Sequence, residues 1–292
     1  SDNRDTTHYG QRIEQHIIQP LVARLIINSE YHKRKDEIHQ FNKTSAVLKR
    51  GIAITPVKFG ISFTVTHLNQ AGALLHIYTD GSVQLNHGGT EMGQGLYTKV
   101  VQIVATTLQI DVGDISCTAT RTDKVPNTSP TAASSGSDLN GMAAKQAAET
   151  LKHRLSEFAA KHFAVDISAV QFASGHIYIG GRTLTFAELA SLAYLNRVSL
   201  SAVGYYRTPK IHYDRSLARG RPFYYFAYGA AVSEVIIDTL TGEYKVHRVD
   251  ICHDVGESLN PALDLGQIEG GFIQGMGWVT NEELVWDDEG RL

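Results

Sequence analysis

The chain has 292 residues, of which 42% are hydrophobic and 20% charged, and its formal net charge is −3 at pH 7. This composition is typical of a globular protein with one large or two modest domains, and the charge argues against nucleic acid or an anionic membrane as a partner. Two distant cysteines, Cys117 and Cys252, indicate no disulfide framework and favour a cytoplasmic location. No apolar stretch approaches the length of a membrane span, and no signal-peptide pattern opens the chain.

The predicted elements begin with a helical segment over residues 1–48. Apolar residues recur at three- and four-residue steps from Ile13 to Leu25, and Pro20 is expected to end or kink this first helix. A second, more polar helix is expected from Glu30 to Phe41. Because each helix has one apolar stripe, we interpret the segment as a helical brace or linker for a domain over residues 49–292.

Strands are predicted from Lys49 onward, where β-branched and aromatic residues recur between glycines. A hairpin is expected to turn at Asp80–Gly81. A helix over Leu96–Leu108 and a short strand over Asp114–Thr120 follow. Elements of both kinds interleave without a regular strand–helix–strand repeat, so the predicted fold class is α+β, with mixed sheets and packed helices.

The second half of the chain contains one long predicted helix, from Asp138 to about His162, capped by Asp138 or Ser137. A long hairpin is expected to turn at Leu240–Gly242. The chain then predicts a turn, a helix with an unusual number of glycines, and a closing strand.

Three segments rich in small residues stand out: "GGTEMGQG" (88–95), "TAASSGSDLNG" (131–141) and "GQIEGGFIQGMG" (266–277). A strand that turns through glycines into a helix can hold an anionic or amide-bearing ligand against backbone N–H groups. The carboxamides of Gln94, Gln267 and Gln274 can donate and accept hydrogen bonds to a heterocycle. Each segment alone is also consistent with ordinary packing or a flexible loop, but the three together predict a large polar cofactor.

Other familiar sites are not indicated. The chain has no P-loop motif, and Gly93 and Gly95 lack the third glycine of a dinucleotide-binding fingerprint. His247 and His253 share one predicted strand face without further ligands, so the pattern does not favour zinc. Ser134–Ser135–Gly136 is not the nucleophile motif of a serine hydrolase.

Four longer stretches carry a resemblance to a known family: "GISFTVTHLNQAGALLHIYTDGSV", "HGGTEMGQGLYTKVVQI", "VPNTSPTAASSGSDLNGMA" and "SLNPALDLGQIEGGFIQGMGW". They resemble the molybdenum-binding region of the xanthine dehydrogenase/aldehyde oxidase family, over nearly the whole chain from about Thr7. The resemblance is closest to the bacterial xanthine dehydrogenases, whose molybdenum subunit is a separate chain. It implies a cofactor-binding domain of the xanthine oxidase type, the second of two, truncated at its C-terminal end.

In this family a molybdopterin dithiolene holds the molybdenum, so the resemblance implies no protein side chain as a metal ligand. The residues that match pterin-contacting positions are Gly93, Gln94, Gly95, Ala132, Ala133, Ser134 and Gln267. Phe63 and Thr64 match positions that line the purine pocket, where a phenylalanine ring packs on the heterocycle and a threonine hydroxyl can bond it.

The family chemistry is oxidative hydroxylation, here of hypoxanthine or xanthine to urate. Electrons leave through [2Fe-2S] clusters to FAD, both on a partner subunit, which implies a hetero-oligomer. The catalytic glutamate belongs to a "GEPP"-like motif that is absent from these residues, so no catalytic residue is named. The chain is therefore expected to be a piece of a longer subunit and inactive alone.

Two alternatives stay open. An aldehyde or other N-heterocycle oxidoreductase could use the same scaffold. A non-catalytic assembly module could instead dock the iron–sulfur/FAD partner, with Glu282, Glu283 and the helical brace as its surface.

Overall fold

The computed structural model describes residues 4–126 and 128–292. The chain forms two compact units, one comprising the chain up to Thr64 with Lys210–Glu257, the other Val65–Pro209 with Ser258–Leu292. The predicted boundary between residues 48 and 49 falls inside the first unit. In the described part of the chain, no helix is both long and apolar enough to cross a membrane.

The first unit is a three-stranded antiparallel sheet, with strand order β1-β11-β12, next to two helices. A small hairpin, β9-β10, belongs to the same unit. The elements are α1 (Ile18–Asn28), α2 (Tyr31–Thr44), β1 (Leu48–Ile61), β9 (His212–Asp214), β10 (Arg219–Arg221), β11 (Tyr225–Asp238) and β12 (Tyr244–His253). The hairpin predicted around Leu240–Gly242 is confirmed as β11-β12.

Helices α1 and α2 pack on one face of this sheet. Leu21 and Leu25 of α1 are buried against Tyr228, Ala230 and Val232 of β11. The apolar stripe predicted for the first helix therefore packs on the sheet. The helical segment predicted as a brace contributes this stripe to the core of the first unit.

A buried ion-pair network joins α2 to the same sheet. Arg34 of α2 pairs with Glu234 and Asp250, each at 2.7 Å, and Arg50 of β1 also pairs with Glu234. Arg34 and Glu234 are almost fully buried, so each charge needs its partner. Arg34 belongs to the run "HKRK" at positions 32–35, the one basic cluster in the sequence. Because it is buried, it does not contribute to a basic surface.

The second unit is built on a four-stranded sheet with strand order β4-β3-β2-β8, antiparallel except between β3 and β4. Helices α3 and α4 pack on it, and a smaller sheet, β5-β6-β7, lies beside α4 and α5. The elements are β2 (Gln70–Ile77), β3 (Val83–His87), α3 (Leu96–Leu108), β4 (Ile115–Cys117), α4 (Gly136–Phe163), β5 (Val170–Ala173), β6 (His176–Ile179), β7 (Arg182–Thr185), α5 (Phe186–Leu195), β8 (Ser201–Arg207) and α6 (Pro261–Trp278). The predicted hairpin at Asp80–Gly81 and the predicted helix Leu96–Leu108 are confirmed.

The prediction for Pro20 is wrong. Helix α1 begins at Ile18, so Pro20 lies in its first turn, where a backbone N–H has no partner within the helix and proline is tolerated. The residues before Ile17 are not helical, although Ile13 and Ile17 still pack against the core of the first unit.

Two further predictions are corrected. The long helix begins at Gly136 after the N-cap residue Ser135, so Ser137 and Asp138 lie inside its first turn and cannot be the cap. The hydroxyl of Ser135 donates to the carbonyl oxygen of Ala132 at 3.0 Å instead of capping the helix. No closing strand forms, because the chain from Val279 to Leu292 pairs with no strand.

Strand β8 lies directly against the backbone of α4. A Cβ atom added to Gly204 would overlap the carbonyl oxygen of Ala143 and lie 2.6 Å from the amide nitrogen of Ala147. The facing residues of α4, including Ala143 and Ala147, are fully buried alanines. Small side chains on both elements therefore set the distance between helix and sheet.

We expect Gly204→Ala to lower the free energy of unfolding by about 3 kcal/mol, because the added methyl group meets rigid backbone. Gly51→Ala in β1 is the matched control, since a Cβ atom there would lie at an ordinary 3.7 Å from Val235. Urea unfolding of both variants measures the effect, and equal midpoints would contradict the account.

Candidate functional site

The first of the three glycine-rich segments is a loop between β3 and α3, and the carboxylate of Glu91 organises it. One carboxylate oxygen accepts hydrogen bonds from the N–H groups of Gly93 at 2.9 Å and Gly95 at 3.0 Å. The other accepts from the N–H of Tyr97 at 2.9 Å. The loop thus binds an anion that belongs to the chain itself.

The pKa of Glu91 reflects these contacts. Partial burial alone would raise it, but hydrogen bonds from the backbone N–H groups of Tyr97, Gly95, Gly93 and Met92 hold the pKa below its usual range. Glu91 is therefore ionised at neutral pH and satisfies the N–H of Tyr97 in the first turn of α3 and that of the N-cap residue Gly95. A carboxylate of the chain itself therefore lies at the start of α3.

Gln94, a predicted cofactor contact, is half-buried in the same loop. Its carboxamide accepts from the N–H of Met92 at 2.6 Å and donates to the carbonyl oxygen of Thr90 at 2.8 Å. Each of these two groups can form further hydrogen bonds, since a carboxamide has two donor hydrogens and an oxygen with two lone pairs. The neighbouring Gly93 is exposed, with φ 97° and open space on its side-chain position.

A buried histidine supports the start of the loop. His87 is 1% exposed, and burial lowers its pKa to about 4, against a smaller opposing effect of Glu91. Its Nδ1 accepts from the N–H of Gly89 at 3.1 Å, so Nε2 has the proton and faces Cys117 Sγ at 3.5 Å. Burial raises the pKa of the Cys117 thiol to about 11, so the pair is neutral and structural.

The second segment is joined to the first by one hydrogen bond. The N–H of Thr90 donates to the hydroxyl of Thr131 at 2.8 Å. The three predicted cofactor contacts follow directly: Ala132 and Ser134 are exposed and Ala133 is half-buried. Ala133 and Ser134 have φ values of 55° and 53°, a left-handed conformation that is unfavourable for residues with a side chain and is often found at functional sites.

The third segment is helix α6, whose first turn is tied to α3. Lys99 of α3 pairs with Asp264 at 2.6 Å, and both side chains are largely buried. Asn260 caps α6 by accepting from the N–H of Leu263 at 3.1 Å, and a Cβ atom on Gly95 would contact the Leu263 side chain. The glycine loop and α6 are therefore in contact within the second unit.

Gln267, the remaining predicted cofactor contact, is exposed on α6 one turn after Leu263. The glycines of α6 at positions 266, 270, 271 and 275 have no atom within 4 Å of an added Cβ. They do not serve close packing within this chain. The structure thus leaves the backbone of α6 open at these four positions.

The predicted substrate residues Phe63 and Thr64 follow the end of β1 in the first unit, where Phe63 is half-buried and Thr64 exposed.

Within residues 4–126 and 128–292, no group of three or more histidine, cysteine, aspartate or glutamate side chains is placed to hold a metal ion.

Comparison with known proteins assigns the family. The chain matches the molybdopterin cofactor-binding domain family over residues 24–292. It is 49% identical to the xanthine dehydrogenase/oxidase of Felis catus and 46% identical to the xanthine dehydrogenase of Dictyostelium discoideum. The chain belongs to the molybdopterin cofactor-binding domains of the xanthine dehydrogenase family. Each match covers 99% of this chain but 20% of the relative, so the chain spans about a fifth of the length of these proteins.

Solved structures show the same fold. Quinoline 2-oxidoreductase from Pseudomonas putida 86 superposes with a TM-score of 0.82 and 20% identity, over 98% of this chain and 37% of that chain. A Cu,Mo-CO dehydrogenase gives a TM-score of 0.81 and 23% identity, over 97% of this chain and 36% of that chain. The predicted α+β molybdenum-cofactor-binding fold is confirmed, as is molybdopterin as the cofactor of this domain family.

Sequence reasoning missed several residues that shape this cofactor-binding domain. The acceptor role of Glu91, the hydrogen bond between Thr90 and Thr131 and the Lys99–Asp264 pair were not predicted. A signal for Glu91 was available, because an acidic residue just before a helix start commonly bonds its free N–H groups. No local pattern indicates the Lys99–Asp264 pair, whose members are far apart in sequence.

We expect Glu91→Gln to lower the free energy of unfolding by about 1–2 kcal/mol at pH 7, because a neutral amide cannot accept all three N–H bonds. Since folding lowers the pKa of Glu91, its contribution is present above the ordinary value of 4.5 and is lost as pH falls through the folded-state pKa. Below that pKa, wild type and Glu91→Gln should have similar free energies of unfolding. Denaturant unfolding at pH 7 and at a pH below that pKa measures the difference, with exposed Glu149→Gln as control. A difference between wild type and Glu91→Gln that does not change with pH would contradict this role of Glu91.

Proposed function

We propose that this chain forms part of the molybdopterin-binding shell of a molybdenum hydroxylase that oxidises hypoxanthine and xanthine to urate. The observation that carries the proposal is the convergence of three small-residue segments within the second unit. Thr90 bonds Thr131, and the Gly95 region contacts Leu263 at the start of α6. The names of the two relatives described above, a xanthine dehydrogenase/oxidase and a xanthine dehydrogenase, support the purine substrate.

The segments fit a large, flat and polar cofactor. Added Cβ atoms at Gly93, Gly266 and Gly270 would meet no atom within 4 Å, and Ala132 and Ser134 are exposed with small side chains. A ligand can therefore approach the backbone at several points of one unit. In this proposal the residues that hold the cofactor are Gly93, Gln94, Gly95, Ala132, Ala133, Ser134 and Gln267.

The electrostatics favour hydrogen bonding over helix dipoles as the source of affinity. Glu91 bonds the N–H of Tyr97 in the first turn of α3, and Asp138 places a second carboxylate in the first turn of α4. Both acidic groups offset the positive end of their helix. Hence the carboxamides of Gln94 and Gln267 and the backbone at residues 131–134 would orient the pterin. The bound group would supply the redox-active metal for oxidative hydroxylation.

The remaining expectations belong to the same proposal. Phe63 and Thr64 would contact the purine. A subunit with [2Fe-2S] clusters and FAD would accept the electrons in a hetero-oligomer. A bacterial-type separate molybdenum subunit, a cytoplasmic location and inactivity of the isolated 292 residues are also proposed. The sizes of the purified subunits test whether the molybdenum subunit is a separate chain, and cell fractionation tests the location. A xanthine oxidation assay of the isolated 292 residues tests their inactivity.

The alternatives differ in what they predict. An aldehyde or other N-heterocycle oxidoreductase would show a higher kcat/KM for those substrates than for xanthine. An assembly module would bind the iron–sulfur/FAD partner without needing the cofactor contacts of Gln94.

We expect Gln94→Ala in the native-length protein to lower the bound molybdenum and pterin about fivefold under limiting cofactor, the equivalent of one hydrogen bond of about 1 kcal/mol. Gln171→Ala, an exposed glutamine on β5 of the same unit, is the control and should keep full content. Metal analysis and pterin fluorescence measure both, with unfolding midpoints checked because Gln94 also bonds its own loop. Unchanged content in Gln94→Ala would favour the assembly module.

A further inference from the structure

The first unit contains a cavity that no part of the proposed function uses. Its volume is about 350 Å³, within the range of small-molecule sites. It lies between residues 11–15 and the chain from Lys210 to Phe226. Charged and aromatic side chains line it, among them Arg12, Glu14, Lys210, Arg221, Tyr224 and Phe226.

The lining of this cavity is positively charged. Three cationic side chains, Arg12, Lys210 and Arg221, face one carboxylate, Glu14. The hydrogen bond and charge of Arg221 hold the pKa of Glu14 below its usual range, and Lys210 and Arg12 add to this effect. All three cations thus act on the same small volume. Arg12 also pairs with Asp5 at 3.1 Å, where both side chains are well exposed.

Arg221 has unused hydrogen-bonding capacity. Two of its terminal nitrogens bond the two oxygens of Glu14, at 2.7 and 3.1 Å, and one also contacts the carbonyl oxygen of Tyr224 at 3.3 Å. Its Nε atom is buried and therefore not open to the cavity. In these contacts Nη1 donates one of its two hydrogens, so an anion beside Arg221 would be stabilised by charge and by a hydrogen bond from Nη1.

Aromatic side chains form the other part of the lining. Tyr224 and Phe226 contribute ring surface, and the Lys58 ammonium lies 4.7 Å from the centre of the Phe226 ring. Such a surface suits an aromatic body attached to the anionic group, because ring contacts add apolar burial to the charge interaction.

We propose that this cavity binds a small organic anion in which a phosphate or carboxylate is attached to an aromatic body. The anionic group lies among Lys210, Arg12 and Arg221, and the ring contacts Tyr224 and Phe226. Glu14 competes with the ligand for Arg221. The proposal does not depend on the molybdopterin site, because every residue in it belongs to the first unit.

The test is calorimetric titration of the native-length protein with phenyl phosphate and, separately, with inorganic phosphate. We expect saturable binding of phenyl phosphate and at least about threefold weaker binding of inorganic phosphate, which lacks the ring. Lys210→Gln should weaken phenyl phosphate binding about threefold to fivefold. Lys35→Gln, an exposed lysine of the same unit that does not line the cavity, should leave it unchanged.

Glu14→Gln gives the sharpest outcome, because it should tighten phenyl phosphate binding by removing the competing carboxylate. A misfolded variant cannot gain affinity, so this result would support the site independently of stability. The proposal is overturned if the wild-type protein shows no saturable binding, if Glu14→Gln binds no more tightly, or if Lys210→Gln and Lys35→Gln behave alike. Equal affinities for the two phosphates would overturn the assigned class of ligand.

Discussion

The hydrogen bonds from the backbone N–H groups of Gly93, Gly95 and Tyr97 to Glu91 are the interaction on which the candidate site depends. A segment rich in glycine loses much conformational entropy when it is ordered, and a charged acceptor bonded to three N–H groups offsets part of that loss. With the loop held in this way, Gln94 is placed where its carboxamide bonds the backbone of Met92 and Thr90. The same carboxylate places a negative charge at the start of α3, which favours carboxamides and loop backbone over the helix dipole for recognising a cofactor.

Small residues have two distinct uses in the second unit. Gly204 and the buried alanines of α4 let the sheet and helix approach to backbone contact, which fixes the platform from which the loops extend. At Gly93 and at residues 266, 270, 271 and 275 of α6, an added Cβ atom would meet no atom within 4 Å, so the backbone is open on its side-chain position. The first use sets the close approach of helix and sheet, and the second would let a large ligand lie against the backbone. Composition alone does not separate the two, because the difference lies in what surrounds each residue.

Local patterns in the sequence were enough to predict much of this structure. The turns at Asp80–Gly81 and Leu240–Gly242 and the helix Leu96–Leu108 follow from turn chemistry and apolar periodicity, which are properties of neighbouring residues. The motif resemblance gave the fold family. The pairing of β1 with β11, across more than 160 residues, has no local signal, and neither does the burial of Arg34 beside Glu234.

The mistakes have physical causes as well. Pro20 is acceptable in the first turn of α1, so its meaning depended on where the helix begins, which periodicity locates poorly. Ser135 bonds Ala132 and follows a left-handed turn, so the cap of α4 could not be chosen from residue type alone. For the site, the residue types were visible, but which backbone N–H groups Glu91 bonds depends on the conformation of the glycine loop, which residue types do not specify.

The most direct measurement of the central claim is a cofactor assay on the native-length protein matured in its host. Oxidation with iodine in acid converts a released pterin into a fluorescent derivative that can be counted against the protein. We predict a signal close to one pterin per chain, which would make the three small-residue segments part of a working cofactor site. A protein without any pterin would contradict the account, since this fold would then be retained without the cofactor that its segments are proposed to hold.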